Sequence, residues 1–374
     1  MTEKTDEEEK NLKIPIIVSV ILSVSIIIAI LYFTIDVRTF EYLSEINIRY
    51  EFFLLAVLVN LVYWTIWGAR QKVLSNSLEP NADITLKKST KIVVANLFLA
   101  NITPSMAGGE PVRIYLLNKN GLSIGSATAS ALSERLLDAI FLIICIPFAF
   151  LVLRRYLEQT VLRVALTVGA GVFVLGIFIF IYSIKHPDKL KSFLVYLSDK
   201  FSRFSRKREK DEKTAAERIV EEVDNFHASM MFFLSEGKKT MLKAGVLTAL
   251  FWITGWIIPI LILMGLGFQP FIIESCAAQV FLIIIAMIPT TPGSAGVTEL
   301  GATGLYSIFL PETSLLGVFV LLFRMISYHM GTIAGVIFQY RIFKSVASFS
   351  IEKIKKKTPL STQELEKNID LKDK

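Results

Sequence analysis

At 374 residues, 53% apolar and only 20% charged, with 3 histidines and a formal net charge of +7, the chain is not a domain solvated on every side. A mean hydropathy of +0.55 alongside 40 basic and 33 acidic side chains requires the charges to be pooled in a few segments. The composition is that of a polytopic membrane protein.

In chain order, a polar leader over 1–13 carries Glu7, Glu8 and Glu9 and precedes a run over 14–35 of 22 residues without a charge. As a helix that run is about 33 Å long, enough for a hydrocarbon core of roughly 30 Å. A secretory signal would have a basic leader, a shorter apolar stretch and a small-residue cleavage site, so the segment is expected to be retained. Five more runs are long enough to cross: 52–69, 123–153, 164–184, 244–266 and 314–343.

Lys and Arg counts orient them. The leader has 3, 36–51 has 2, 70–91 has 5, 154–163 has 3, 185–243 has 14 and the tail from Arg341 has 9. Under the positive-inside rule the rich segments are cytoplasmic, which places both termini inside a cell membrane and 36–51 and 154–163 outside. Two apolar stretches, 92–117 and 271–309, must then enter and leave by one face. Each is broken by proline and glycine, the first at the tip 103–111 (Thr103, Pro104, Gly108, Gly109, Pro111) and the second at 289–299 (Pro289, Pro292, Gly293, Gly296). Proline removes a helix hydrogen bond and glycine frees the backbone, which favours re-entrant hairpins with non-helical tips. Irregular backbone at that depth must face protein or a water-filled cavity.

Both tips contain Thr-Pro-x-x-Ala-Gly, at 103–108 and 291–296, 188 positions apart. Glu110 and Glu299 follow them, and Arg135 and Arg324 lie 27 and 28 residues after the last shared glycine. The first hairpin enters from inside and the second from outside, so the halves form an inverted repeat, as in many alternating-access transporters. The competing reading is two proline-kinked full spans. The predicted fold is therefore all-α, with six full spans and two re-entrant hairpins. The first repeat is 14–184, the charged segment 185–243, the second repeat 244–343 and the basic tail 344–374.

The motifs around Thr103 to Arg113, Ser133 to Asp138, Pro292 to Glu299 and Arg324 resemble the flippase-like transmembrane region of lysylphosphatidylglycerol synthetases, the multiple peptide resistance factor family, over about residues 12–345. The resemblance implies an integral membrane protein that moves a lipid between leaflets. The soluble aminoacyl-transfer domain of the full-length synthetases has no counterpart, since only 59 residues lie in 185–243, so that activity is not carried over. The second tip departs from the family pattern at Ser294 and Thr298.

Charges at membrane depth are costly and are functional candidates by default: Glu110, Arg113, Glu134, Arg135, Asp138, Glu274, Glu299 and Arg324, with His329 beside them. Arginine's planar fork suits a lipid phosphate, which makes Arg113, Arg135 and Arg324 the expected head-group ligands. Gly108, Gly109, Gly293 and Gly296 would let backbone N–H groups at helix starts approach the same anion. Glu110 and Glu299 would hold the arginines or carry a coupling proton. Glu134 and Asp138 are close enough on one helix to pair internally with Arg135. Arg324 has no acid within a turn, so its partner is expected in Glu299 or Glu110. His329 reads as a packing residue or a proton relay. Trp64, Trp67, Trp252 and Trp256 read as interfacial anchors.

In 185–243 the apolar positions Ile219, Val223, Phe226, Met230 and Phe233 recur at helical spacing, giving an amphipathic helix that either lies on the inner leaflet or packs on the bundle mouth. A net charge of +4 there is too little for nucleic-acid binding. Cys145 and Cys276 sit in apolar runs and indicate neither disulfide nor zinc site, and no cofactor or catalytic residue is indicated. The function expected is a lipid flippase for an anionic or aminoacylated phospholipid or a polyprenyl-phosphate-linked lipid. Without a nucleotide-binding motif, its drive would be an ion or lipid gradient. The alternatives are a non-transporting scaffold for a separate membrane synthase, docking through 185–243, and an intramembrane enzyme with Glu110 and Glu299 as acid and base.

Overall fold

The structure, a computed structural model, describes residues 48–103, 108–154, 237–287, 293–310 and 315–338, with scattered helical positions between 168 and 235. The predicted span 14–35, most of 164–184 and of 185–243, and the tail lie outside the described residues. What is described is helical throughout. Four helices are long and apolar enough to cross a membrane: α1 (Tyr50–Leu78), α4 (Ile124–Leu153), α5 (Lys238–Gly265) and α8 (Leu316–Phe338). They match four of the six predicted full spans.

Between α1 and α4 lie two shorter helices, α2 (Leu86–Ile102) and α3 (Gly109–Lys119). The Thr85 hydroxyl caps α2 by accepting the Lys88 N–H, and Ser123 caps α4 by accepting the Ser126 N–H. α3 folds back along α2. A Cβ on Gly109 would stand 2.8 Å from the Ala100 Cβ, while at the other end Ile92 and Ala95 share a cluster with Leu116 and Leu117. Between α5 and α8, α6 (Ile272–Ala286) and α7 (Val297–Tyr306) form a second antiparallel pair. There Gly301 lies against Leu282 and Ile285, and Gln279 donates to the Tyr306 hydroxyl at 3.0 Å.

The two tips meet. The Gly293 N–H donates to the Thr103 carbonyl at 3.0 Å, and the Tyr328 hydroxyl donates to the Asn101 carbonyl at 2.7 Å. Asn101 in turn donates from Nδ2 to the Tyr328 carbonyl and to Thr332 Oγ1. Gly293 has φ +60° and a Cβ there would fall 2.2 Å from the Asn101 carbonyl oxygen, so only glycine fits the contact.

Corresponding helices of the two halves run in opposite directions. At one end of the α1–α5 pair the Arg49 N–H donates to the Gly265 carbonyl, and at the other Leu74 and Leu78 pack with Met241 and Ala244. Leu142, Ala149 and Leu153 late in α4 share the main core with Leu315, Leu316 and Phe319 at the start of α8. Phe338, at the far end of α8, packs with Ile92 and Leu116. Small residues allow these approaches: Gly335 leaves no room for a Cβ, which would meet Phe98 N at 2.6 Å. The main core gathers the C-terminal part of α4 with α5, α6, α7 and α8.

A buried charge network at the broken helices

On α4 the order Glu134, Arg135, Asp138 places the two carboxylates four apart on one stripe and turns the arginine about 100° away from Glu134. The carboxylates face α1 and α5. Arg70 of α1 donates through Nη1 to Asp138 Oδ1 at 2.5 Å and to Thr248 Oγ1 of α5 at 3.1 Å, and its Nη2 lies 3.4 Å from Glu134 Oε2. The Phe251 ring sits 4.7 Å from its guanidinium carbon. Two indoles complete the set, Trp67 donating to Glu134 at 2.9 Å and Trp252 to Asp138 at 3.0 Å.

Arg135 faces the start of α3. Its Nε and Nη2 both donate to Glu110 Oε1, at 2.8 and 2.5 Å, and Nη1 reaches Asp138 Oδ2 at 3.4 Å. Arg113, one turn after Glu110, bridges it to α4 through Glu110 Oε2 at 2.5 Å and through Glu134. Three cations and three anions therefore form one connected, electrically neutral set. Charges removed from water need this pairing, because an isolated buried ion costs several kcal/mol. Its members differ in access. The side chains of Arg70, Arg113 and Glu134 are at most 1% exposed, whereas Arg135 is 48% and Glu110 24% exposed.

The second half holds one pair. Glu299 accepts the Gly296 N–H through Oε2 at 2.6 Å, capping its own helix, and its Oε1 lies 2.9 Å from Arg324 Nε. The Arg324 guanidinium carbon stands 4.0 Å from the Tyr328 ring centroid. Both side chains are buried, at 0% and 3% exposure. A π turn over Met325–His329 follows Arg324 directly, and His329 meets the Tyr328 ring edge-on.

The structure thus unites Glu110, Arg113, Glu134, Arg135 and Asp138 in one network, and Glu299 with Arg324 in another. Of the two partners expected for Arg324 it has Glu299. The internal α4 pairing exists for Asp138 and Arg135, but Arg135's closer partner is Glu110 and Glu134 turns to Arg113. The glycine amides mostly have protein acceptors: Gly108 N–H donates to Thr103 Oγ1 at 2.8 Å, Gly293 to Thr103 and Gly296 to Glu299. Gly109 is packed against Asn96 and Ala100.

Arg70 was not among the expected residues, because the apolar run ends at Ala69. The tryptophans are also not interfacial anchors: Trp64, Trp67 and Trp256 are 6–8% exposed, and Trp67 and Trp252 serve the carboxylates instead. Of the amphipathic segment, Met230 and Phe233 are buried against Leu74, Ala129, Leu136 and Ala244, so this end of it packs on the bundle.

The family model for the lysylphosphatidylglycerol synthase TM region matches residues 17–335. The chain belongs to the lysylphosphatidylglycerol synthase TM-region family. That match includes both hairpins and every charged residue of the two networks. Similar proteins include a UPF0104 membrane protein of Archaeoglobus fulgidus, 29% identical over 88% of this chain and 97% of its own. Another, from Pyrococcus horikoshii, is 26% identical over 88% and 98%, and one from Methanocaldococcus jannaschii is 29% identical over 78% and 85%. No solved structure matches. This family member is a membrane protein, and its two networks are the features to which a function must be attached.

Proposed function

We propose that this protein is a lipid flippase, moving an anionic or aminoacylated phospholipid or a polyprenyl-phosphate-linked lipid between the leaflets of the cell membrane. In this reading both termini are cytoplasmic and the α2–α3 and α6–α7 pairs are re-entrant hairpins, entering from opposite sides. The observation that carries it is the half-exposed Glu110–Arg135 pair, set where a broken helix restarts inside a bundle of membrane-crossing length. A charge left accessible there, in a set otherwise sealed, is the place where an ionic ligand can exchange with a protein carboxylate.

The chemistry follows from that exchange. A lipid phosphate takes the two donors that Arg135 gives to Glu110, one anion replacing another on a fork suited to both. Glu110 remains paired with Arg113, so no bare carboxylate is left at depth. Arg70 and Arg113, locked by Glu134 and Asp138, hold the geometry. The acyl or prenyl chains stay in the bilayer while the head group passes between the hairpins.

The test is a translocation assay with purified protein in liposomes carrying fluorescent lipids of different head groups. Head-group-selective movement supports the flippase reading. Folded protein that moves no lipid with a phosphate head group, polyprenyl phosphates included, contradicts it and favours a scaffold for a membrane synthase.

A further inference from the structure

A polar seam between α1 and α4 leads into the buried network of the first half. Trp67, Gln71, Ser75 and Glu79 follow one another in steps of four along α1 and its C-cap, and Ser126, Ser130, Glu134 and Asp138 do so along α4. A step of four returns to nearly the same helix face, so each helix presents one polar stripe. The stripes meet in antiparallel register. Ser126 donates to Glu79 Oε1 at 3.2 Å, and the Ser75 and Ser130 hydroxyl oxygens lie 3.1 Å apart. Gln71 Nε2 donates to both of those hydroxyls, at 2.9 and 2.7 Å, and Trp67 donates to Glu134 at 2.9 Å. The seam begins at the half-buried Glu79, where the Ser229 hydroxyl stands 3.5 Å from that of Ser126. It ends inside the protein, since Gln71, Ser75, Ser130 and Glu134 are 0% exposed.

Two acceptors at the inner end of the seam are unused. Gln71 Oε1 and Glu134 Oε1 are buried and make no hydrogen bond among the described residues. They belong to adjacent turns, because Gln71 holds Ser130, one turn before Glu134. Neither can satisfy the other, since an amide oxygen and a carboxylate oxygen only accept. A water donates to both, and a proton on Glu134 Oε1 turns that oxygen into a donor. Successive rungs stand about 6 Å apart, one helical turn, a gap that one water bridges. Hydroxyls and waters both donate and accept, which is the requirement for passing a proton along.

We infer that the α1–α4 seam delivers protons from the cytoplasm to Glu134, and that one proton travels with each phosphate charge moved. The inference rests on the flippase reading and names its coupling ion and the entry route. Charge balance is the reason. The arginines and carboxylates of the network alternate in a closed ring, from Arg70 through Glu134, Arg113, Glu110, Arg135 and Asp138 back to Arg70. The ring is neutral, so a phosphate monoanion arriving at Arg135 adds one negative charge, which a proton on Glu134 cancels. Uncompensated charge at membrane depth is costly, which ties the two arrivals together. Glu134 faces Arg70 and Trp67 of α1 and Arg113 of α3. Tyr63 of α1 interacts with Asp138 and Arg70, and α5 brings the uncharged Thr248 and Trp252 to the same ring. When Glu134 is neutral, Arg70 keeps Asp138 and Arg113 keeps Glu110, so no guanidinium is orphaned. The proton enters at Glu79, forms an O–H bond at Glu134 Oε1, and breaks it to leave with the phosphate on the opposite face.

The experiment uses the full chain in liposomes with a pH-sensitive dye trapped inside, and a fluorescent anionic phosphodiester lipid added to the outer leaflet near neutral pH. A phosphodiester carries no proton of its own there, so any proton that crosses with it has used the protein. Acidification of the lumen in step with inward lipid movement is the expected result. Folded Ser130→Ala, which interrupts the seam outside the charge ring, should slow both movements at least tenfold, and Glu134→Gln, fixed in the neutral form, should move lipid without protons. Lipid movement by the parent protein with no acidification overturns the proton route and leaves the flippase reading intact. Undiminished coupled movement by Ser130→Ala also overturns the route and makes the seam a static clasp between two helices. Absence of lipid movement by the parent protein overturns the flippase reading and the route with it. Should Ser130→Ala fail to fold, Ser75→Ala takes its place with the same outcomes.

Discussion

Arg70 shows how a single side chain fixes the charge balance of the site. It is the bridge between Asp138 and Glu134 and carries Thr248 and Phe251 with it. Removing one member of a buried ion set leaves its partner uncompensated, at a cost of about 3–5 kcal/mol. Arg70→Met is therefore expected to lower the thermal unfolding temperature in detergent markedly. Adding Asp138→Leu should recover part of the loss, since that double variant removes the orphaned charge as well. A melting temperature unchanged by Arg70→Met would show that the network is not carrying the fold at this point. Arg113, Arg135 and Arg324 are legible in the sequence because each interrupts an apolar stretch, 92–117, 123–153 and 314–343 respectively. Arg70 was not, because Gln71 and Lys72 follow it and the hydropathy window closes at Ala69. The missed signal was periodic: Leu74 and Leu78 continue the helix for two more turns beyond Arg70.

At the scale of elements, the hairpin tips depend on close backbone approach rather than on side-chain bulk. Gly293 occupies left-handed space, and a Cβ there would collide with Asn101 and Tyr328 at once. A Gly293→Ala substitution should separate the tips and reduce transport at least tenfold without altering helical circular dichroism. Gly304→Ala, where a Cβ meets nothing within 4 Å, should leave transport unchanged and serves as the control. Equal transport by both variants would mean that tip contact is dispensable. The shared Thr-Pro-x-x-Ala-Gly made the tips visible in the sequence, because proline and glycine punctuate a helix wherever they occur in it. Tip-to-tip docking was not visible, since a backbone bond such as Gly293 to Thr103 leaves no mark on residue type. The tryptophans misled for a related reason: an indole N–H suits a membrane interface and a buried carboxylate equally well, and only the fold chooses between them.

For the whole molecule, the opposed direction of corresponding helices places the open ends of the two hairpins at opposite ends of the bundle. Lys119 closes the first and Ser307 follows the second. In a background without native cysteines, Lys119→Cys should react with an impermeant thiol reagent only from the cytoplasmic side and Ser307→Cys only from the other. Labelling of both from one side would contradict the inverted arrangement. Of the three arginines of the first network, Arg135 is the exposed one, at 48%, and is therefore the one proposed to meet the head group. Losing a charged two-donor contact of about 2–3 kcal/mol corresponds to roughly 30- to 150-fold in rate. The most direct measurement is head-group-selective translocation in liposomes by the parent protein and by Arg135→Gln, each shown to be folded by its melting temperature. A fall of that size in the variant is expected. Undiminished transport by folded Arg135→Gln would contradict the account.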